Sequence, residues 1–225
     1  MNGELSLLRE QLCRDANEYC RVCFAGSPCA ANQNPPNVFR VGRNTHAKLF
    51  FIFDKPNNND GLRPELVPIA IFDPRPFGHQ PTHSNLCHLL EDLGFSSADS
   101  PDDPLDSDLV HVTNAVKCDK CAVTGQSGRV AIGETQARKC RSRFLLRELA
   151  IIKPVALVFF GVFPQRYVLG KSTPRWKLSQ VSLAGVTYWV MRVPHTSPTA
   201  FNTYGGQGEK YKLPFQDLMA RVISA

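Results

Sequence analysis

Short apolar runs recur along the chain between polar stretches, and their composition predicts β-strands. The runs are rich in β-branched and aromatic residues, which is typical of strands buried in a sheet. They cover residues 47–53, 109–116, 155–160 and 186–193. Turn-forming residues follow the first run and Pro194 follows the last, so polar segments begin where strands end.

Helical periodicity appears between these runs. An amphipathic pattern over 4–20 opens the chain, and Ser84 begins a leucine-rich helix that Gly94 ends. A further helical pattern runs from Thr135 to Ile152 and is closed by Pro154. Because strands that alternate with helices form parallel sheets covered on both faces, the sequence predicts a single three-layer α/β domain. Its central sheet is expected to be mainly parallel and four-stranded, flanked by helices.

Composition bounds the class of protein and its partners. The chain of 225 residues is 43% hydrophobic, enough for one core, and its net charge of +6 favours an anionic partner. No apolar run approaches the roughly 18 residues of a membrane span, and the charged opening segment lacks an export signal. We therefore expect a cytoplasmic protein with reduced cysteines and without membrane contact. We also expect a monomer, in a bacterial or archaeal cell.

Reduced cysteines in pairs indicate a metal site. Cys20 and Cys23 form a Cys-x-x-Cys pair. Cys118 and Cys140 flank the segment between the second strand and the next helix, so the two pairs could close one tetrathiolate site. Cys118 also forms a Cys-x-x-Cys pair with Cys121, and a zinc site that uses Cys121 instead of Cys140 fits the spacing equally well.

Three polar side chains stand at the ends of predicted strands. Asp54 follows the first strand, Asn114 lies in the second and His195 follows the fourth. Because the carboxyl ends of parallel strands share an edge, a carboxylate, an amide and an imidazole could converge on one ligand. Each also has a structural interpretation, as a turn residue, a strand-end hydrogen bonder and a loop histidine.

The segment after His195 is rich in proline, glycine and small hydroxyl residues. It predicts a tight loop whose exposed amides, together with Ser197 and Thr199, hold DNA phosphates. Phe201 or Tyr204 could wedge a base step. The loop therefore makes DNA the expected partner.

These motifs follow one another in a specific order. Along the chain they are Cys20-x-x-Cys23, Asp54-Lys55-Pro56, Arg75-Pro76-Phe77, Thr113-Asn114-Ala115-Val116-Lys117-Cys118 and His195-Thr196-Ser197. This order resembles the family 4 uracil-DNA glycosylases over most of the chain. The resemblance implies the fold of that superfamily and a monofunctional DNA glycosylase, which hydrolyses the N-glycosidic bond of a flipped-out base and leaves an abasic site.

The helix that contains Cys140 resembles the family with one difference. The family has the pattern Cys-x3-Leu-x2-Glu-Leu in this helix. Here Leu145, Glu148 and Leu149 give nearly that pattern, displaced by one residue after the cysteine.

The resemblance implies a role for each site residue. Phe77 would stack on the flipped base, and Asn114 would read its pairing edge. His195 would donate a hydrogen bond to the base oxygen on which negative charge develops, and Asp54 would orient a water or stabilise the sugar cation. The N-terminal segment of about residues 1–45 would complete a structural four-iron four-sulfur cluster. Its implied ligands are Cys20, Cys23, Cys118 and Cys140.

The first active-site loop departs from the family pattern. Asp54 replaces a glutamate, and Lys55 stands where family 4 has alanine and could contact a phosphate. The segment over 57–83 is longer and richer in proline than expected, and it should wall the base pocket. The expected substrate is therefore uracil or a modified base, for instance a modified cytosine in foreign or phage DNA. The alternative is a catalytically inactive DNA-binding or damage-sensing module of the same fold.

Overall fold

The computed structural model describes Leu7 and residues 47–54, 81–94, 109–116, 134–203 and 209–224. The strands in these ranges are β1 (Leu49–Phe53), β2 (Val110–Asn114), β3 (Ala156–Phe160), β4 (Ser179–Leu183) and β5 (Val186–Val193). They form one sheet in the order β2-β1-β3-β5-β4. β1, β2, β3 and β5 are parallel to one another, and β4 pairs with β5 in the antiparallel sense.

Helices cover both faces of this sheet. Those described are α1 (Pro81–Asp92), α2 (Glu134–Cys140), α3 (Leu146–Ile152), α4 (Val162–Leu169), α5 (Pro198–Thr203) and α6 (Glu209–Ile223). A π-helical turn, Arg141–Leu145, joins α2 directly to α3. None of these described helices is both long and apolar enough to span a membrane.

The alternation of side chains along β1 separates two apolar layers. Phe50 and Ile52 pack on one face with α2, the π turn, α3 and α4. Leu49, Phe51 and Phe53 pack on the other face with α1 and α6. Every residue of β1 is buried, as expected for a central strand with helices on both sides. The prediction of a three-layer α/β domain is confirmed.

The four predicted strands are confirmed as the parallel part of the sheet, and β5 has its predicted bounds. The predicted number of strands was wrong by one, because β4 adds an antiparallel edge. Along β4 half-buried and exposed residues alternate, so it lacks the continuous apolar run of the other strands. Ala184 and Gly185 connect β4 to β5 with φ of 51° and 82°, values that suit a two-residue hairpin turn.

Two further segments differ from their sequence-based predictions. The leucine-rich helix begins at Pro81, three residues before the predicted cap Ser84. The segment after His195 was predicted as a tight loop, but Pro198–Thr203 forms the short helix α5, with proline in the first turn, where its missing N–H costs no hydrogen bond. The predicted opening helix lies outside the described residues except for Leu7.

Candidate active site

The carboxyl ends of β1, β2, β3 and β5 form one edge of the sheet. Phe53 at the end of β1 pairs with Asn114 at the end of β2. Backbone hydrogen bonds continue past the strands, since the N–H of Ala115 donates to the Phe53 carbonyl at 2.7 Å. The N–H of Gly161, after β3, donates to the Val193 carbonyl at 2.8 Å. The segments that follow these four strands therefore start side by side.

Phe53 lies at the centre of this edge. Its ring stacks on Phe160 with centroids 4.3 Å apart, and the edge of the His195 ring meets it at 5.4 Å and 87°. Asn114 is its cross-strand neighbour and is almost completely buried. Asp54 follows it in the chain. The structure thus places Asn114 and His195 beside Phe53, and Asp54 next to Phe53 in the chain at the same edge of the sheet.

The ring of His195 is oriented by its own loop. The backbone N–H of Ser197 donates to His195 Nδ1 at 3.0 Å. A ring nitrogen that accepts a hydrogen bond carries no proton, so the neutral ring is protonated at Nε2. Nε2 is therefore the hydrogen-bond donor of this imidazole.

Two residues from the helical layer hold the backbone of the His195 loop. Tyr211 on α6 donates its hydroxyl to the carbonyls of Pro194 at 3.3 Å and His195 at 3.4 Å. Asn85 on α1 donates its amide to the Thr196 carbonyl at 2.9 Å. Sequence analysis missed both residues, because neither belongs to a strand-end motif and Tyr211 fits the apolar face of a helix.

The charge of Asp54 affects a side chain of α4. Its backbone carbonyl accepts the N–H of Val116 at 3.0 Å, and one oxygen of its carboxylate is buried. The pKa of the Tyr167 phenol on α4 is raised, first by burial and second by the negative charge of Asp54, while Arg166 acts in the opposite direction. Tyr167 therefore stays protonated at neutral pH beside this carboxylate.

Three of the predicted DNA contacts follow His195 directly in the chain. Ser197 is half-buried in the loop before α5, and Thr199 is exposed in the first turn of that helix. Phe201 also belongs to α5, so two of these three residues lie on a short helix rather than in the predicted loop. Lys55 and Phe77 lie outside the described residues.

Of the predicted metal ligands, the described residues include Cys140 alone. It ends α2, is buried at 7% exposure and forms no disulfide within the described part of the chain. Among the described residues, no group of three or more His, Cys, Asp or Glu side chains could hold a metal ion. The other candidates lie outside the described ranges, and they are Cys20, Cys23, Cys118 and Cys121.

Comparison with known proteins matches most of the sequence to one family. The sequence profile described as the uracil DNA glycosylase superfamily matches residues 39–219, a span that contains all five strands and the edge around Phe53. A search of curated proteins gave no match. The match is at the level of the superfamily, and assignment to its family 4 stays a prediction.

Proposed function

The chain belongs to the uracil DNA glycosylase superfamily, whose members are generally DNA glycosylases, and we propose that it excises a base from DNA. The reaction is hydrolysis of the N-glycosidic bond of a base flipped out of the stack. Water adds to the sugar carbon, the base leaves with the bonding electrons and a proton, and an abasic site remains. The substrate is uracil or a modified base such as a modified cytosine of phage DNA.

The hydrogen bond from Ser197 N–H to His195 Nδ1 carries this proposal. It makes Nε2 the donor of the neutral ring, at the edge where Asp54 and Asn114 also lie. As the glycosidic bond breaks, negative charge develops on a carbonyl oxygen of the departing base. A fixed donor at that oxygen stabilises the transition state more than the ground state.

Other side chains at this edge complete the proposed mechanism. The Asn114 amide offers both donors and an acceptor, which is what recognition of a pairing edge requires. The Asp54 carboxylate orients the attacking water or stabilises positive charge on the sugar. Phe77 is proposed to stack on the base. The proposed DNA contacts are Lys55, Ser197, Thr199 and Phe201.

Base release from defined DNA tests the proposed activity. Oligonucleotides with one uracil, hypoxanthine or modified cytosine, and phage DNA with hypermodified cytosines, are incubated with the protein. We expect free base and a site that breaks only after alkali, because a monofunctional enzyme leaves the strand intact. Retained, salt-dependent binding with no release from any substrate would instead support an inactive DNA-binding or damage-sensing module.

Tyr211→Phe should separate positioning of the His195 loop from its chemistry. The variant removes the hydroxyl that holds Pro194 and His195, but it keeps the ring that packs against Trp176. We expect about a fivefold to tenfold slower base release and a loss of about 1 kcal/mol in the free energy of unfolding. Single-turnover kinetics and urea denaturation measure the two effects. An unchanged rate with the same loss of stability would show that the hydroxyl has only a structural role.

We further propose that Cys140 is one ligand of a structural four-iron four-sulfur cluster with Cys20, Cys23 and Cys118. Four thiolates are the donor set that such a cluster needs, and the burial of Cys140 suits a ligand shielded from water. When bound, the cluster would tie the N-terminal segment to α2. The chain's own residues supply the glycosylase chemistry.

Anaerobic purification distinguishes this cluster from zinc. We expect a brown protein with about four iron atoms per chain, and loss of colour and iron in Cys140→Ser but not in Cys121→Ser. Zinc thiolates are colourless. A colourless protein with about one zinc per chain, lost in Cys121→Ser and kept in Cys140→Ser, would contradict the proposed cluster.

A further inference from the structure

A small basic pocket lies between the helical stretch around Cys140 and α4, on the face of the sheet that Asp54 reaches. Its volume is about 270 Å³, just below the range of about 300–1,000 Å³ that holds drug-sized ligands. This volume leaves ample room for a phosphate group, and the basic lining favours an anion. The lining residues of this arginine pocket are Glu134, Arg138, Arg141, Arg166, Tyr167 and Gly170.

Arg141 is the fixed cation of the arginine pocket. Its Nη1 donates to the Val168 carbonyl at 2.8 Å, which ties the guanidinium to the C-terminal half of α4. Its Nε is buried and has no hydrogen-bond partner among the described residues. A buried donor of this kind is costly unless it finds an acceptor, so Arg141 favours an anion in the pocket.

The carboxylate of Glu134 binds the other two arginines of the pocket, Arg138 and Arg166, with one oxygen each. Its Oε1 accepts from Arg166 at 2.8 Å and its Oε2 from Arg138 at 3.3 Å. All three side chains are at least half exposed, so these ion pairs contribute little and are easily exchanged. A phosphate, with more acceptor oxygens and a permanent charge, can displace the carboxylate, and the lining keeps a net positive charge.

The position of the pocket relates it to the candidate active site. α4 begins at Val162, directly after the carboxyl end of β3, and Arg166 lies four residues further, about 6 Å along the helix axis. That length corresponds to about two nucleotide steps of about 3.4 Å each. Tyr167, which lines the pocket, is also close enough to Asp54 for that charge to raise its pKa.

An exposed aromatic ring lies on the same helix, nearer the edge of the sheet. Phe163 in the first turn of α4 is 54% exposed, and its ring centroid is 6.3 Å from that of Tyr167. Aromatic rings beside cationic side chains are how proteins hold DNA strands, because bases stack on the rings while phosphates meet the charges. The exposed surface of α4 therefore combines both features.

We propose that the arginine pocket binds a backbone phosphate of the DNA strand that enters the active site, within about two nucleotides of the excised base. This inference rests on the proposed function, because that function makes DNA the ligand. Its test is independent of the proposed reaction, because it measures DNA binding rather than base release. Arg166 and Arg138 would exchange Glu134 for the phosphate, and Arg141 would hold it from the base of the pocket.

Arg166→Gln is the first test, because this exposed side chain can change without disturbing the core. Binding of a fluorescent oligonucleotide is measured by anisotropy over a range of salt concentrations. We expect about tenfold weaker binding, and a plot of log K against log salt whose slope is smaller by about one. Arg221→Gln, at an exposed residue of α6 on the other face of the sheet, removes the same charge and should change neither quantity. Equal losses in both variants, or no loss in Arg166→Gln, would overturn the proposal.

Glu134→Gln gives a test of opposite sign. Removing the competing carboxylate should strengthen DNA binding about threefold, whereas Glu91→Gln, at an exposed residue of α1, should not. The melting temperature in inorganic phosphate shows whether the pocket's ligand is a free anion or DNA. The proposal fails if phosphate raises the melting temperature of the wild-type chain but not of Arg166→Gln, while the two proteins bind DNA equally. The pocket would then hold a free anion. Weaker DNA binding in Arg166→Gln supports it even if no base is ever released.

Discussion

Replacing His195 by alanine is expected to slow base release by about 10²–10³-fold. The reason is the tautomer that Ser197 imposes, since its N–H donates to Nδ1 at 3.0 Å and leaves Nε2 as the donor. Removing one fixed donor from a site where charge develops typically costs this much, and the cost falls on the chemical step rather than on binding. Single-turnover kinetics at saturating protein, with DNA affinity measured separately, would separate the two.

A matched variant shows whether the loss is specific to this ring. His88 on α1 is exposed and contacts only Glu91 among the described hydrogen bonds, at 3.3 Å, so His88→Ala should leave the rate unchanged. His195→Gln keeps a donor of similar reach and should recover part of the lost rate. A rate for His195→Ala within threefold of the wild type, on a substrate that the wild type excises, would rule out the proposed donor.

Placement of the candidate site could be predicted because it depends mainly on strand direction. Asp54, Asn114 and His195 follow or end parallel strands, and parallel strands share one carboxyl edge. The hydrogen bonds that position His195 could not be predicted in this way. Tyr211 lies 16 residues from its acceptor, and Asn85 lies 111 residues from Thr196, so these contacts exist only once α6 and α1 pack on the sheet.

β4 shows a second limit of sequence patterns. Its alternating half-buried and exposed residues reflect an edge position with one neighbour, β5, and not a core strand.

The arginine pocket shows a third limit of sequence patterns. Arg138 and Arg166 stand on different helices and meet only because α2 and α4 pack on the same face of the sheet.

The π turn is consistent with the one-residue displacement in the predicted resemblance to family 4 after Cys140. A π turn holds one more residue than an α-helical turn, because its hydrogen bonds span five residues instead of four. Residues 141–145 form such a turn, so this stretch holds one residue more than a regular α-helical turn would. Phe144, Leu145 and Leu149 therefore still face the core, and Glu148 still points inward.

The inward position of Glu148 leads to the second large prediction. Its Oε1 lies 3.0 Å from His111 Nε2, and both side chains are completely buried. The His111 ring also stacks on Phe50 at 4.8 Å, which fixes the imidazole in the layer between β2 and α3. Glu148→Ala should lower the free energy of unfolding by about 3–5 kcal/mol, because it leaves a buried polar ring without this partner.

A double-mutant cycle measured by urea denaturation separates this pair from simple loss of packing. His111→Phe with Glu148→Leu replaces both polar groups by apolar ones of similar size, and such replacements are often neutral or stabilising. We therefore expect the double variant to be more stable than Glu148→Ala and each single replacement. Additive losses would mean that the two side chains do not act as a pair.

The same pair should also affect activity, because Asn114 lies three residues beyond His111 on β2. We expect Glu148→Ala to slow base release beyond its effect on stability, and the double variant to restore the rate.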